Sequence, residues 1–281
     1  MTRTIFLAHV LSLIVVAAWA GTDTDDYLER MNKEHTGDTP VASPATEVEP
    51  GANVTSRDVD YVEIEGSKVS GYLSTPTEGA PVAGIILIHE WWGLNDNIRA
   101  MARRFAGEGY AALAVDLYEG EVAETRDDAM RLATGVRERI AAVEENLRGA
   151  HDYLSDTLGI DRIGVIGWCF GGGWSLRTAL ILGDEIDATV IYYGRLVTDR
   201  SKLEPLSSPV LGIFGALDEG IPVTTVREFQ TVLDSLGKPV SIHIYEGAGH
   251  AFANPSGTRY NQNAAEDAWG KTLNFFAQTL R

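Results

Sequence analysis

The chain has 281 residues and one cysteine, Cys169. It can form no internal disulfide and has no second thiol to resolve one, which excludes a disulfide-stapled scaffold and argues against dithiol redox chemistry. Positive charge is also scarce, with 23 Lys and Arg against 40 Asp and Glu and a net charge of −17. A surface of that sign repels phosphate backbones, so nucleic acid and anionic membrane surfaces are not expected partners. Solubility alone accounts for such a surface. No internal repeat is present. The run Ile5 to Ala18 is too short for a comfortable membrane span. It follows Arg3 and precedes Ala18-Trp19-Ala20, which together read as an export signal over residues 1–20, cut after Ala20. The expected location is periplasmic or secreted, with no membrane partner after cleavage; the alternative is an uncleaved N-terminal anchor. There is no cysteine near the cut to carry a lipid.

What is present is the composition of a soluble globular chain, 44% hydrophobic and 22% charged, long enough to bury a sizeable core. Residues 21–57 are acidic and proline-bearing and read as a tether, with a short helix possible over Asp25 to His35 through Tyr27, Leu28 and Met31. The domain is expected over 58–281. Val59 to Ile64 and Lys68 to Ser74 alternate around Glu65-Gly66-Ser67 and predict an antiparallel hairpin. Ala83 to Ile88 is continuously apolar, as a strand buried on both faces should be. Further strands are expected over Ala111–Leu117, Ile163–Trp168, Ala188–Tyr193, Val210–Phe214 and Ser241–Tyr245. The helices between them include one over Ala123 to Leu158 broken near Gly135. Strands alternating with helices predict a mostly parallel central sheet covered on both faces.

In such a sheet the chemistry sits beyond the carboxyl ends of the strands. Cys169 follows one strand in Gly167-Trp168-Cys169-Phe170-Gly171, ahead of a helical pattern. Strand, Gly-x-Cys-x-Gly, helix is a nucleophile elbow with sulfur in place of oxygen. The plain alternative is a buried cysteine in a glycine-rich turn. Asp218 follows another strand, as an orienting carboxylate or a helix cap. His250 follows the last strand in Gly247-Ala248-Gly249-His250. Nucleophile, acid and histidine in that chain order favour a triad over three unrelated residues. The loop His89-Glu90-Trp91-Trp92 is placed to supply an oxyanion-hole N–H from Trp91, with Phe170 supplying the other. Trp92 reads as pocket wall or as core. Glu90 reads as a solvated loop acid or as a holder of the thiol proton.

Gly-x-Cys-x-Gly-Gly, His89-Glu90, Asp218 and Gly-x-x-His-x-Phe together resemble the dienelactone hydrolase family of the α/β-hydrolase superfamily, over about residues 58–281. The resemblance implies the α/β-hydrolase fold and a Cys169–Asp218–His250 triad. It also implies that Glu90 gates the cysteine and that a small-molecule lactone or activated ester is cleaved through a thioester with no metal or organic cofactor. Asn254 stands where the family's dienelactone enzymes carry a carboxylate-gripping arginine. Arg126 and Arg195 are the substitutes on offer, with Tyr193 and Trp92 as further substrate contacts. The rivals are a thioesterase or small-peptide hydrolase on the same fold and a non-catalytic binding protein.

Overall fold

A computed structural model describes residues 23–40 and 53–281. The export signal expected over 1–20 and the middle of the expected tether lie outside the described residues.

Eight strands form one sheet in the order β1-β2-β4-β3-β5-β6-β7-β8. The hairpin β1 (Val54–Ile64) and β2 (Ser67–Pro76) is antiparallel, and β2 joins β4 (Ala111–Val115) antiparallel. From there β3 (Gly84–Ile88), β5 (Ile163–Trp168), β6 (Ala188–Tyr192), β7 (Val210–Gly215) and β8 (Val240–Tyr245) run parallel. This is the α/β-hydrolase architecture. The inner strands β3, β4, β5, β6 and β7 are buried at every position, which is why they read as unbroken apolar runs.

The helices are α1 (Asp23–Glu34), α2 (Asp96–Gly107), α3 (Arg126–Glu138), α4 (Ile140–Asp152), α5 (Phe170–Leu182), α6 (Arg200–Leu203), α7 (Val223–Ser235) and α8 (Gln262–Leu280). Helices α2 and α8 lock together through Phe105 against Trp269, with ring centroids 4.6 Å apart. Helices α4 and α5 are joined by the Arg177–Glu144 ion pair. The expected break near Gly135 falls instead at Arg139 (φ −124°, ψ 40°), and Gly135 lies inside α3. A glycine weakens a helix without ending it, whereas a non-helical ψ does end it.

The stretch expected to be a tether through residue 57 contains two ordered elements. Strand β1 starts at Val54 because Val54 pairs with Pro76 at the far end of the hairpin. Helix α1 docks on the domain and buries Tyr27, Leu28 and Met31. Arg126 donates to the Asn32 carbonyl (3.0 Å) and to Thr36 Oγ1 (3.2 Å), and Lys33 pairs with Glu219 at 2.8 Å.

Chain order runs from β3 outward to β4 on one side and from β5 outward to β8 on the other. The reversal between β3 and β5 opens a crevice at their carboxyl ends. Register pairs Ile88 with Gly167 and Gly215 with Tyr245, so the loops carrying Glu90, Cys169, Asp218 and His250 all emerge at that edge.

Candidate active site

Cys169 sits between β5 and α5 with φ 54° and ψ −115°, in the region that side chains rarely adopt. Its N–H donates to the Tyr192 carbonyl at 3.0 Å, which fixes the turn to β6. The glycines on either side are sterically required. A Cβ on Gly171 would lie 2.2 Å from the Ile88 carbonyl oxygen, and one on Gly167 would lie 2.0 Å from the Gly171 carbonyl oxygen. The turn therefore holds the sulfur over the crevice, at the N-terminus of α5, where the helix dipole favours thiolate.

His250 Nδ1 lies 2.8 Å from Asp218 Oδ2 with both side chains fully buried. The other oxygen, Asp218 Oδ1, accepts the Ile221 N–H at 2.8 Å. Asp218 thus both caps its own turn and orients the imidazole. His250 Nε2 faces the sulfur within 4.8 Å. Burial disfavours the His250 cation, but the Asp218 carboxylate and the Cys169 sulfur outweigh it and hold its pKa well above the usual histidine range. For Cys169, burial works against the thiolate. The two facing imidazoles, His250 and His35, overcome it and bring the thiol down to about 6.

His35 was not among the expected site residues. It follows α1, and its Nε2 lies 3.5 Å from Cys169 Sγ while its Nδ1 lies 2.9 Å from Asp38 Oδ2. Asp38 Oδ1 in turn accepts from the N–H and hydroxyl of Thr258, at 2.7 and 2.6 Å. Burial opposes ionisation of Asp38, yet the bonds from His35 and Thr258 pull its pKa down to about 2. The signal in the sequence was His35-x-x-Asp38 around Gly37 (φ +88°), directly after the apolar residues of α1.

Glu90 is buried, not a solvated loop acid. Its Oε2 accepts from Asn254 Nδ2 at 2.5 Å, and its Oε1 has no hydrogen-bond partner among the described residues. Burial and then the Cys169 charge raise its pKa to about 8. His89 shapes this loop, with Nδ1 2.6 Å from the Glu90 carbonyl while Nε2 accepts the Leu117 N–H at 3.2 Å. Trp91 and Trp92 are both buried, and His35 stacks on Trp91 with ring centroids 4.5 Å apart.

The expected substrate contacts separate. Tyr193 is buried edge-on to His250 at 5.3 Å and shares with Glu90 and Asn254 a cavity of about 80 Å³ that runs between α2 and α8. Arg126 instead anchors the segment after α1, and the Arg195 guanidinium lies 5.5 Å over the Tyr27 ring. Asn254, in the place of the expected arginine, holds Glu90.

The family model described as "Dienelactone hydrolase family" matches residues 69–280. The chain belongs to the dienelactone hydrolase family. It is 36% identical over 225 residues to Protein usf of Aquifex pyrophilus, covering 78% of this chain and 96% of that one. It is 30% identical over 262 residues to a candidate carboxymethylenebutenolidase of Saccharolobus solfataricus, covering 79% and 98%. A crystal structure of a candidate dienelactone hydrolase from Klebsiella pneumoniae superposes with a TM-score of 0.73 at 27% identity, over 80% of this chain and 99% of that one. As a member of this family, the chain is a hydrolase acting on lactones or esters, and its substrate is a small molecule.

Proposed function

We propose that the protein cleaves small lactones and carboxylic esters through a thioester on Cys169, with His250 and Asp218 completing the triad. The observation that carries this reading is the Asp218–His250 pair aimed at a sulfur held in a strained elbow. The thiolate attacks the carbonyl carbon. The Trp91 and Phe170 N–H groups hold the oxyanion, each such donor contributing about 3 kcal/mol to the transition state. A facing imidazolium gives its proton to the departing oxygen, which leaves as an alcohol or enol. His250 then takes a proton from water, whose oxygen attacks the thioester and releases the acid and the thiolate. Arg126 is engaged by the segment around Asn32, and Asn254 offers no positive charge and holds Glu90, which favours uncharged esters over a dienelactone carboxylate. We also propose export, on the strength of the N-terminal run from Arg3 to Ala20.

The test is turnover of para-nitrophenyl acetate and of a dienelactone by the purified protein. The expected result is hydrolysis of the simple ester, with the dienelactone a poorer substrate. If neither is hydrolysed and iodoacetamide leaves Cys169 of the folded protein unlabelled, the catalytic reading falls.

Glu90 gives the reaction a pH window. Activity should rise as Cys169 ionises near pH 6. It should fall near pH 8, where Glu90 gains a charge beside the thiolate. Glu90→Gln, which can still accept from Asn254, should remove the alkaline fall in kcat/KM. The same shift has a stability sign. The folded-state pKa is raised, so Glu90 carries no penalty while protonated in both states below about pH 4.5, stability is lost as pH rises from there to about 8, and it levels off above that. Glu90→Gln should therefore melt above the wild type at pH 9 and close to it at pH 5, by calorimetry.

A further inference from the structure

The sulfur is bonded to an imidazole that the family's triad does not include. His35 Nε2 is hydrogen-bonded to it at 3.5 Å, and His250 Nε2 faces it within 4.8 Å. Each ring has a buried carboxylate behind its Nδ1, Asp38 at 2.9 Å and Asp218 at 2.8 Å, and the rings stand at 88° with centroids 5.3 Å apart. His35 itself is fully buried, stacked on Trp91 of the expected oxyanion loop. It lies outside the residues that match the family model, on a segment fixed by Arg126, Lys33 and the Asp38–Thr258 bonds. A histidine needed only for packing would not require a second carboxylate-backed nitrogen aimed at the nucleophile. Because His35 Nε2 lies 3.5 Å from Sγ, an acyl carbon bonded to the sulfur has that nitrogen within reach of its leaving oxygen.

We propose that His35, oriented by Asp38, is a second catalytic imidazole that protonates the leaving oxygen, so that the thiolate works between two histidines and expels alcohols too basic to leave unaided. This deepens the function proposed above and rests on it. The protons balance over the cycle. The resting site holds a thiolate and a proton on each ring. As the S–C bond forms and the C–O bond breaks, His35 gives its proton to the departing oxygen and an alcohol is released. The two rings then share one proton beside a neutral thioester. Water attacks, its proton passes to whichever ring is neutral, the C–S bond breaks, and the acid leaves with both rings protonated and the thiolate restored.

The test is kcat/KM for acetate esters of rising alcohol pKa, from para-nitrophenyl through phenyl to ethyl, in the wild type, His35→Gln and Asp38→Asn, with folding checked by circular dichroism. His35→Gln should cost less than about tenfold on the nitrophenyl ester and about 10²- to 10³-fold on the ethyl ester, the usual range for general acid catalysis. Asp38→Asn should tilt the series the same way by less, and it covers the case in which the His35 variant fails to fold. An equal loss on every ester would make His35 a structural residue and overturn the proposal. A gain on every ester would make the ring a mere block over the sulfur and overturn it too. Either of those outcomes leaves the Cys169 reading standing, whereas a wild type inert to all three esters would take both readings down.

Discussion

Cys169→Ala should lower kcat/KM for para-nitrophenyl acetate by about 10⁴-fold or more, with the melting temperature little changed. The size of the loss follows from the unit the residue belongs to. Without the sulfur, Asp218 and His250 have no nucleophile to serve, and removing a triad's nucleophile alone costs about as much as removing the whole triad. Stability should hold because alanine is accepted where the sulfur makes one long bond to His35, and because the turn is fixed by the backbone bond to Tyr192. Cys169→Ser separates two sources of the rate. An alcohol is not brought to ionisation by neighbours that bring the thiol to about 6, so the serine variant should also be severely impaired. Steady-state kinetics on both variants, with active sites counted by thiol titration in the wild type, checks this.

The second large effect is structural. Gly171→Ala should unfold or badly distort the site, because its Cβ would stand 2.2 Å from the Ile88 carbonyl oxygen and 2.5 Å from that of His89. Both are backbone atoms at the end of β3, so no rotamer change relieves the clash. Separating α5 from β3 would move Cys169 away from the Glu90–Trp91 loop. Overpacking of this kind costs about 1–3 kcal/mol and more when backbone must move. In a chain this size that is a fall of roughly 5–10 °C in Tm. Gly135→Ala is the control of opposite sign. It lies within α3 with nothing near its Cβ position, and it should stabilise by about 0.5–1 kcal/mol. Thermal melts of both variants decide the matter. If Gly171→Ala melted like the wild type, the close approach of α5 to β3 would be refuted.

What could be read in the sequence was what burial on both faces writes plainly. Strands β3, β5 and β7 are continuous apolar runs, and the residues after them carry Glu90, Cys169 and Asp218. Of the two readings posed for Asp218, the helix cap fails, because Pro222 is the N-cap of α7 with no side-chain bond; Asp218 Oδ1 instead holds the Ile221 N–H of its own turn while Oδ2 meets His250. Arg126 and Arg195 could not be assigned from residue type, because a cation says nothing about which partner it meets. Helix α1 was harder to read for a physical reason. Among its described side chains the buried apolar ones are Tyr27, Leu28 and Met31, so the sequence shows a short helix there but not that it docks. Its docking depends on partners far along the chain, at Arg126, Glu219 and Thr258. The His35–Cys169 contact spans 134 positions and leaves no local pattern beyond a histidine and an aspartate around a glycine.

The most direct measurement is to mix the protein with para-nitrophenyl acetate, quench in acid within the first turnovers, and locate the acyl group by peptide mass spectrometry. A thioester mechanism predicts a transient acetyl group on Cys169, accumulating further in His250→Ala, where water loses its Asp218-backed base. Turnover of the ester with the acetyl group on another residue, or with none on Cys169 in either protein, would contradict it.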